Sequence, residues 1–187
     1  MIALYGGSFD PPHKGHKNVI DEFFRFYPSV SHFFLIPNFI SPFKKDKFLS
    51  SNETLDILNE FKKDLDHNIE ISDYEIKQNN ISYTYNTIQY FKKKFTEEEV
   101  FFLIGEDLLI NFSKWYKYKE ILKLCKLIIF KRYYHNKIIL PKELETNSII
   151  LNNKVIEISS TEIKLNREFR KNNLTQSVYE FLKEIKK

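Results

Sequence analysis

Apolar residues fall into two alternating patterns along this chain, and the alternation predicts the architecture. Residues 2–5, 32–37, 69–72, 100–104, 127–130 and 155–158 are short runs with apolar side chains at consecutive or near-consecutive positions, as strands buried on both faces require. Between runs the apolar positions recur at spacings of three and four: Val19, Ile20, Phe23, Phe24 and Tyr27, then Leu55, Ile57, Leu58 and Phe61. That is the stripe of an amphipathic helix. Ser50 with Glu53, and Ser159 with Glu162, match the capping box, in which two side chains satisfy orphan backbone N–H groups of a first helical turn. Helices are predicted to begin there. Val178, Phe181, Leu182 and Ile185 form a last stripe and predict a docked terminal helix. Alternating strands and helices argue for an α/β class fold, a single-domain, doubly wound parallel sheet over residues 1–187 with a small helical part from about residue 159. In such a sheet ligands bind beyond the carboxyl ends of the strands, where the strand order reverses.

Composition narrows the classes. With 42% of 187 residues hydrophobic and no apolar run near the ~20 residues of a membrane span, neither disorder nor a transmembrane helix is expected. Residues 1–5 run straight into a strand pattern, without the basic and apolar segments of a signal peptide, which predicts a cytoplasmic protein. Cys125 is the sole cysteine; it has no disulfide partner and is read as a small core residue. The net charge of +4 permits polyanionic ligands without demanding them. A nucleic-acid binder is the non-enzymatic alternative, but aromatics at core periodicity and so modest a charge do not favour it. Oligomeric state is open, and a homo-oligomer is compatible with everything here.

Glycine is scarce. Average usage of about 7% would supply roughly 13, yet the chain has 4. Gly6, Gly7 and Gly15 cluster in the turn after the first strand and Gly105 follows another apolar run, so each is expected where φ is positive or a close approach forbids a Cβ. The turn reads Gly6-Gly7-Ser8-Phe9-Asp10-Pro11-Pro12-His13-Lys14-Gly15-His16. It lacks the spacing of a P-loop or of the GxGxxG fingerprint. Its glycines admit a ligand to the backbone, and the helix starting near His13 turns its free N–H groups and positive dipole end toward the loop, which suits phosphate. His13 and His16, three apart on a first helical turn, face one side and can reach one group. His32, His67 and His135 are read as structural. The long connection at residues 38–48 is either a mobile lid or an ordinary solvated loop.

Gly6 to His16 resembles the GGSFDPxHxGH signature of the nucleotidyltransferase superfamily, which includes the HxGH adenylyltransferases and, more distantly, class I aminoacyl-tRNA synthetases. Within it the chain is most similar to the bacterial nicotinate mononucleotide adenylyltransferase family, over nearly its whole length. Residues 73–87, centred on Ser82-Tyr83-Thr84, resemble the family's D-x-E-x-K/R…SYTxxT stretch. Phe102-Leu103-Ile104-Gly105-Glu106-Asp107 with Trp115 resembles its FLIGxD…W block, and Ile158-Ser159-Ser160-Thr161-Glu162-Ile163-Lys164 its ISSTxIR block. In two places the chain departs. Lys164 stands for the family's arginine, keeping the charge but losing the bidentate fork, and Phe43 replaces the histidine of a PPHK motif whose lysine survives as Lys44.

The resemblance implies a Rossmann-like fold and transfer of the adenylyl group of ATP to nicotinate mononucleotide, giving deamido-NAD and pyrophosphate in NAD biosynthesis. It implies catalytic roles for His13 and His16 on the ATP phosphates, and further ATP contacts from Gly6, Gly7, Ser8, Phe9, Gly105, Asp107, Ser159, Ser160, Thr161 and Lys164. Asp107 is expected to accept from a ribose hydroxyl. Lys44, Thr84, Trp115 and Tyr116 are implied for the mononucleotide, with the indole as a flat face for the pyridine ring and backbone N–H groups for its carboxylate. Mg²⁺ is expected to arrive on the ATP phosphates, because no carboxylate cluster has cage spacing. The alternative is an adenylyl- or cytidylyltransferase for another phosphorylated acceptor such as phosphopantetheine.

Overall fold

The computed structural model describes residues 1–42, 47–133, 138, 140–165 and 171–185. Six strands, β1 (Ile2–Gly7), β2 (His32–Pro37), β3 (Glu70–Ile71), β4 (Val100–Gly105), β5 (Lys126–Phe130) and β6 (Ser148–Leu151), form one sheet in the order β3-β2-β1-β4-β5-β6. Every pairing between them is parallel. This is the doubly wound order, and it reverses between β1 and β4. There the strands part. β1 keeps its register with β2 as far as Gly7 opposite Pro37, whereas its pairing with β4 runs only from Ile2 opposite Val100 to Tyr5 opposite Leu103.

Alternate residues of β1, β2, β4 and β5 feed two cores. Ala3, Phe33, Leu35, Phe101, Leu103, Ile128 and Phe130 face one layer, and Ile2, Leu4, Phe34, Ile36, Phe102, Ile104, Leu127 and Ile129 the other. The period of two makes consecutive apolar runs necessary, since both faces are covered. The first layer is built from α1 (Lys14–Phe26), α2 (Ser51–Lys63), α6 (Ser160–Leu165) and the terminal helix α7 (Gln176–Ile185), with Ile20, Phe23, Ile57, Phe61, Ile163, Val178 and Leu182 buried. The second uses α4 (Thr84–Lys94), α5 (Tyr118–Leu124) and a 3₁₀ run at Glu106–Lys114. A short α3 (Tyr74–Gln78) precedes α4. Both predicted capping boxes are present, at Ser50 with Glu53 and at Ser159 with Glu162. Cys125 is buried and its thiol is pushed up to about 12 by burial, in keeping with a core role. No helix among the described residues is long and apolar enough to cross a membrane.

One predicted strand is misplaced. Residues 155–158 are not a strand, and the sixth is Ser148–Leu151, in register with β5 from Leu127 opposite Ser148 to Phe130 opposite Leu151. Val155 and Ile158 are buried all the same, at 6% and 7% exposure. They are apolar because they anchor an irregular segment to the core, and apolarity alone does not distinguish that from a strand.

Candidate active site

A cleft of ≈ 680 Å³ opens at the carboxyl ends of β1 and β4, within the roughly 300–1,000 Å³ of ligand pockets. Its floor is the turn after β1. Phe9 takes a positive φ of 44°, a conformation that costs a bulky residue about 1–3 kcal/mol. Its ring is 1% exposed and packs edge-on against Tyr5 at 5.6 Å, and burial worth about 1.5–3 kcal/mol offsets the strain. Gly7 fits over that ring, where a Cβ would stand 3.1 Å from its tip. No glycine has positive φ. Of the two reasons expected for the retained glycines, close approach applies at Gly7, Gly15 and Gly105, while a Cβ on Gly6 would meet only an ordinary contact with Phe102 at 3.4 Å.

The start of α1 explains the histidine pair. His13 is the N-cap and its Nδ1 accepts from the Gly15 N–H at 3.1 Å, while Nδ1 of His16 accepts from the His13 N–H at 3.2 Å. Two imidazoles thus do the work usually left to a hydroxyl and a carboxylate. A neutral ring whose Nδ1 accepts must carry its proton on Nε2, so the cap fixes the tautomer and both rings offer an Nε2–H. The rings lie 3.8 Å apart between centroids, tilted by 38°. With no acidic residue in its first turn, α1 leaves its positive dipole end for a ligand. A Cβ on Gly15 would stand 2.9 Å from both Cε1 and Nδ1 of His13, so only glycine lets that ring lie over the turn.

His13 is 3% exposed, and burial, aided by the nearby Arg132 cation, pulls its pKa down to about 3. It is neutral in the free protein at pH 7. Between that value and the ordinary ~6.5 the unfolded chain binds a proton that the folded chain refuses, so stability falls as pH drops from about 6.5 toward 3. Thermal unfolding at pH 7 and pH 5 checks this. Wild type should lose clearly more in Tm than His13→Asn, which keeps a capping side chain without a titrating ring.

The opposite wall is built by Arg132, which the sequence reading missed. Its Nη1 donates to Asp107 Oδ2 at 3.2 Å and its Nη2 to the Ile158 carbonyl at 3.0 Å, joining the ends of β4 and β5 to the segment before α6. Glu106 holds the backbone there, accepting from the N–H groups of Arg132 at 2.6 Å and Tyr133 at 2.8 Å. The other oxygen of Asp107, Oδ1, is buried without a protein partner, the condition of a group waiting for a donor from a ligand. Gly105 makes room, since a Cβ there would meet that oxygen at 2.3 Å. The available signal was position: Arg132 is the second residue past β5, at a strand's carboxyl end.

The third side is aromatic. Trp115 is partly buried, its ring 5.1 Å from Phe112 and 6.4 Å from Phe102. Tyr116 is half exposed and lies 5.0 Å from Tyr83. Tyr83 and Thr84, the N-cap and first residue of α4, line the cleft with them. Glu75 also lines the cleft, largely buried, and accepts from the Thr87 hydroxyl at 2.5 Å. Burial raises its pKa against the pull of the Thr87 and Ser82 hydroxyls and of Lys47.

The cleft therefore brings together Gly6, Gly7, Ser8, Phe9, His13, His16, Thr84, Gly105, Asp107, Trp115, Tyr116, Ser159, Ser160 and Thr161, all predicted from sequence. Two of the predicted residues are not among them. Lys44, with Phe43, lies outside the described residues. Lys164 does not line the cleft; its Nζ pairs with Asp10 Oδ2 at 3.0 Å. The predicted hydroxyl donors also have prior partners: Ser159 Oγ donates to Glu162 at 2.7 Å and Ser160 Oγ to the Pro11 carbonyl at 3.1 Å.

A phosphate-suited helix start at the switch point of a doubly wound sheet fits a nucleotide-binding protein, and the class follows from the family match: the pattern of the Cytidylyltransferase-like family, a nucleotidyltransferase family, matches residues 4–166. Among curated proteins, probable nicotinate-nucleotide adenylyltransferases of Leptospira borgpetersenii serovar Hardjo-bovis and Fusobacterium nucleatum are each 38% identical, over 88% and 87% of this chain and 83% and 85% of theirs. The chain belongs to the nicotinate-nucleotide adenylyltransferase family. The fold agrees with solved structures: a Plasmodium falciparum nicotinic acid mononucleotide adenylyltransferase complexed with NaAD gives a TM-score of 0.78 at 14% identity, covering 98% of this chain and 94% of its own. A putative nicotinate-nucleotide adenylyltransferase from Vibrio parahaemolyticus gives 0.68 at 23% identity over 97% of both chains.

Proposed function

We propose that this chain transfers the adenylyl group of ATP to the phosphate of nicotinate mononucleotide, giving deamido-NAD and pyrophosphate. The observation that carries the reading is one continuous cleft with a pair of Nε2–H donors at a helix start on one side and an aromatic wall on the other. A phosphate monoester is already a nucleophile, so no covalent enzyme intermediate is needed. The protein's part is to align two polyanions and to stabilise the charge that spreads over the α-phosphate and the departing pyrophosphate.

In this reading the mononucleotide phosphate oxygen attacks the α-phosphorus, and the bond from that phosphorus to the β-bridging oxygen breaks as pyrophosphate leaves. His13 and His16 donate to the phosphate oxygens. Because their protons are placed on Nε2 before substrate arrives, no reorganisation is needed as charge develops. Asp107 Oδ1 accepts from the adenosine ribose, and Gly6, Gly7 and Gly105 allow the nucleotide to approach the backbone. Thr161 and Ser160 stand beside the outer phosphates. ATP enters as its Mg²⁺ complex. Among the described residues no group of three His, Cys, Asp or Glu is placed to hold a metal ion, and the chain's own residues act here as hydrogen-bond donors and acceptors. Trp115 and Tyr116 flank the pyridine ring, and the start of α4 at Tyr83 and Thr84 faces its carboxylate.

Purified protein given ATP, Mg²⁺ and nicotinate mononucleotide should release pyrophosphate and form deamido-NAD. Silence there, with turnover of another phosphorylated acceptor such as phosphopantetheine, overturns the reading. Trp115→Ala should raise KM for the mononucleotide at least about tenfold, the value of a lost ring contact. KM for ATP should stay within about twofold in the same steady-state assay.

A further inference from the structure

Asp10 lies in the turn that carries the histidines, yet its carboxylate is 3% exposed and turned away from the cleft. Its Oδ1 accepts from the Leu49 N–H at 2.8 Å, and its Oδ2 from the Phe48 N–H at 2.9 Å and from Lys164 Nζ at 3.0 Å. Those donors come from segments remote in sequence. Phe48 and Leu49 end the connection that begins with the cleft residues Asn38, Ser41 and Pro42. Lys164 belongs to α6, whose first residues, Ser160 and Thr161, line the cleft, and the Ser160 hydroxyl is tied to Pro11 next to Asp10. Lys47, half-buried, adds a second cation near Asp10 while donating to the Asn38 carbonyl. One carboxylate therefore joins the turn after β1, the connection after β2 and the helix that closes the site. The ordinary reading of a lysine at position 164, a contact to phosphate, does not fit an ammonium engaged with a buried carboxylate.

We propose that Asp10 is a positioning residue that locks the turn after β1, the connection after β2 and α6 in register, and that Lys164 acts on ATP through Asp10 and not by touching its phosphates. The inference rests on the proposed adenylyl transfer for its assay. Two polyanions must meet in line, and an ångström of misplacement costs about a hundredfold. A carboxylate that bonds the connection after β2 and α6 from within the histidine-bearing turn is placed to prevent it.

Asp10→Asn keeps the shape but removes the charge and turns one acceptor into a donor facing another donor, the Leu49 N–H in the less costly orientation. It should lower kcat at least about tenfold and raise KM for both substrates several-fold. Lys164→Met releases only α6 and should raise KM for ATP several-fold, with KM for the mononucleotide within about twofold, and Lys164→Arg should restore it. In the Asp10→Asn background, Lys164→Met should add nothing further, as coupled residues behave. An undiminished Lys164→Met effect in that background would mean direct phosphate contact and overturn the proposal. So would an Asp10→Asn protein that loses Tm but keeps kcat and both KM values. Should Asp10→Asn fail to fold, a Lys164→Met enzyme with wild-type constants overturns it equally. Absence of product from wild type would instead strike the adenylyl-transfer reading. Calorimetric ATP affinities of the same variants then test the clamp alone, with the same non-additivity expected.

Discussion

Replacing His16 by alanine is expected to lower kcat by at least about two orders of magnitude and to leave the protein folded, as loss of a transition-state donor does. The imidazole has two jobs. Its Nδ1 accepts the His13 N–H at 3.2 Å, half of the cap of α1, and in the proposed reaction its Nε2–H is a donor to the phosphates. Losing the cap costs about 0.5–2 kcal/mol, which a fold stable by roughly 5–15 kcal/mol survives. Steady-state pyrophosphate release beside circular dichroism and thermal melting separates the two jobs. A kcat within a few-fold of wild type refutes the donor role. Asparagine at position 16, which preserves an acceptor for the cap, should recover stability and no activity.

The second large effect is at Gly15 and has an unusual sign structure. Inside a helix, glycine to alanine is ordinarily stabilising by about 0.5–1 kcal/mol. Here the new Cβ would stand 2.9 Å from His13 Cε1 and Nδ1. The ring must shift, and the Gly15 N–H to Nδ1 bond that fixes its tautomer goes with it. Gly15→Ala should therefore lower kcat/KM for ATP about a hundredfold, the scale of ångström-level misplacement. Its melting temperature should stay near wild type, because the helix gain opposes the lost cap. A crystal structure or ¹⁵N imidazole spectrum showing His13 undisturbed, with activity intact, would show that the cap does not govern the ring.

Much of this site was legible in the sequence because its residues come in short contiguous groups. The turn from Gly6 to His16, the block from Gly105 to Trp115 and the run from Ser159 to Thr161 each put several cleft residues on one strand end or helix start, so locating the element located the residues. Arg132 was not legible in that way. It is one cation among 29 lysines and arginines, and its importance arises because Asp107 and the Ile158 carbonyl, distant in sequence, converge on its guanidinium. The partner of Lys164 was not legible for the converse reason: its motif position suggests a phosphate, and only the fold brings its ammonium to Asp10.

The sequence by itself determined the α/β layering, the placement of four of the long strands and the identity of the histidine pair, because apolar periodicity and backbone capping are local properties that a linear pattern records. Tertiary structure alone decided that Ser148–Leu151 and not residues 155–158 completes the sheet, since a strand is defined by hydrogen bonds to a neighbour, here β5. It alone decided that both imidazoles present Nε2–H, that His13 is neutral, and that Asp10 faces inward. Tautomer, charge and orientation depend on what is packed within a few ångströms, and residues remote along the chain supply those neighbours.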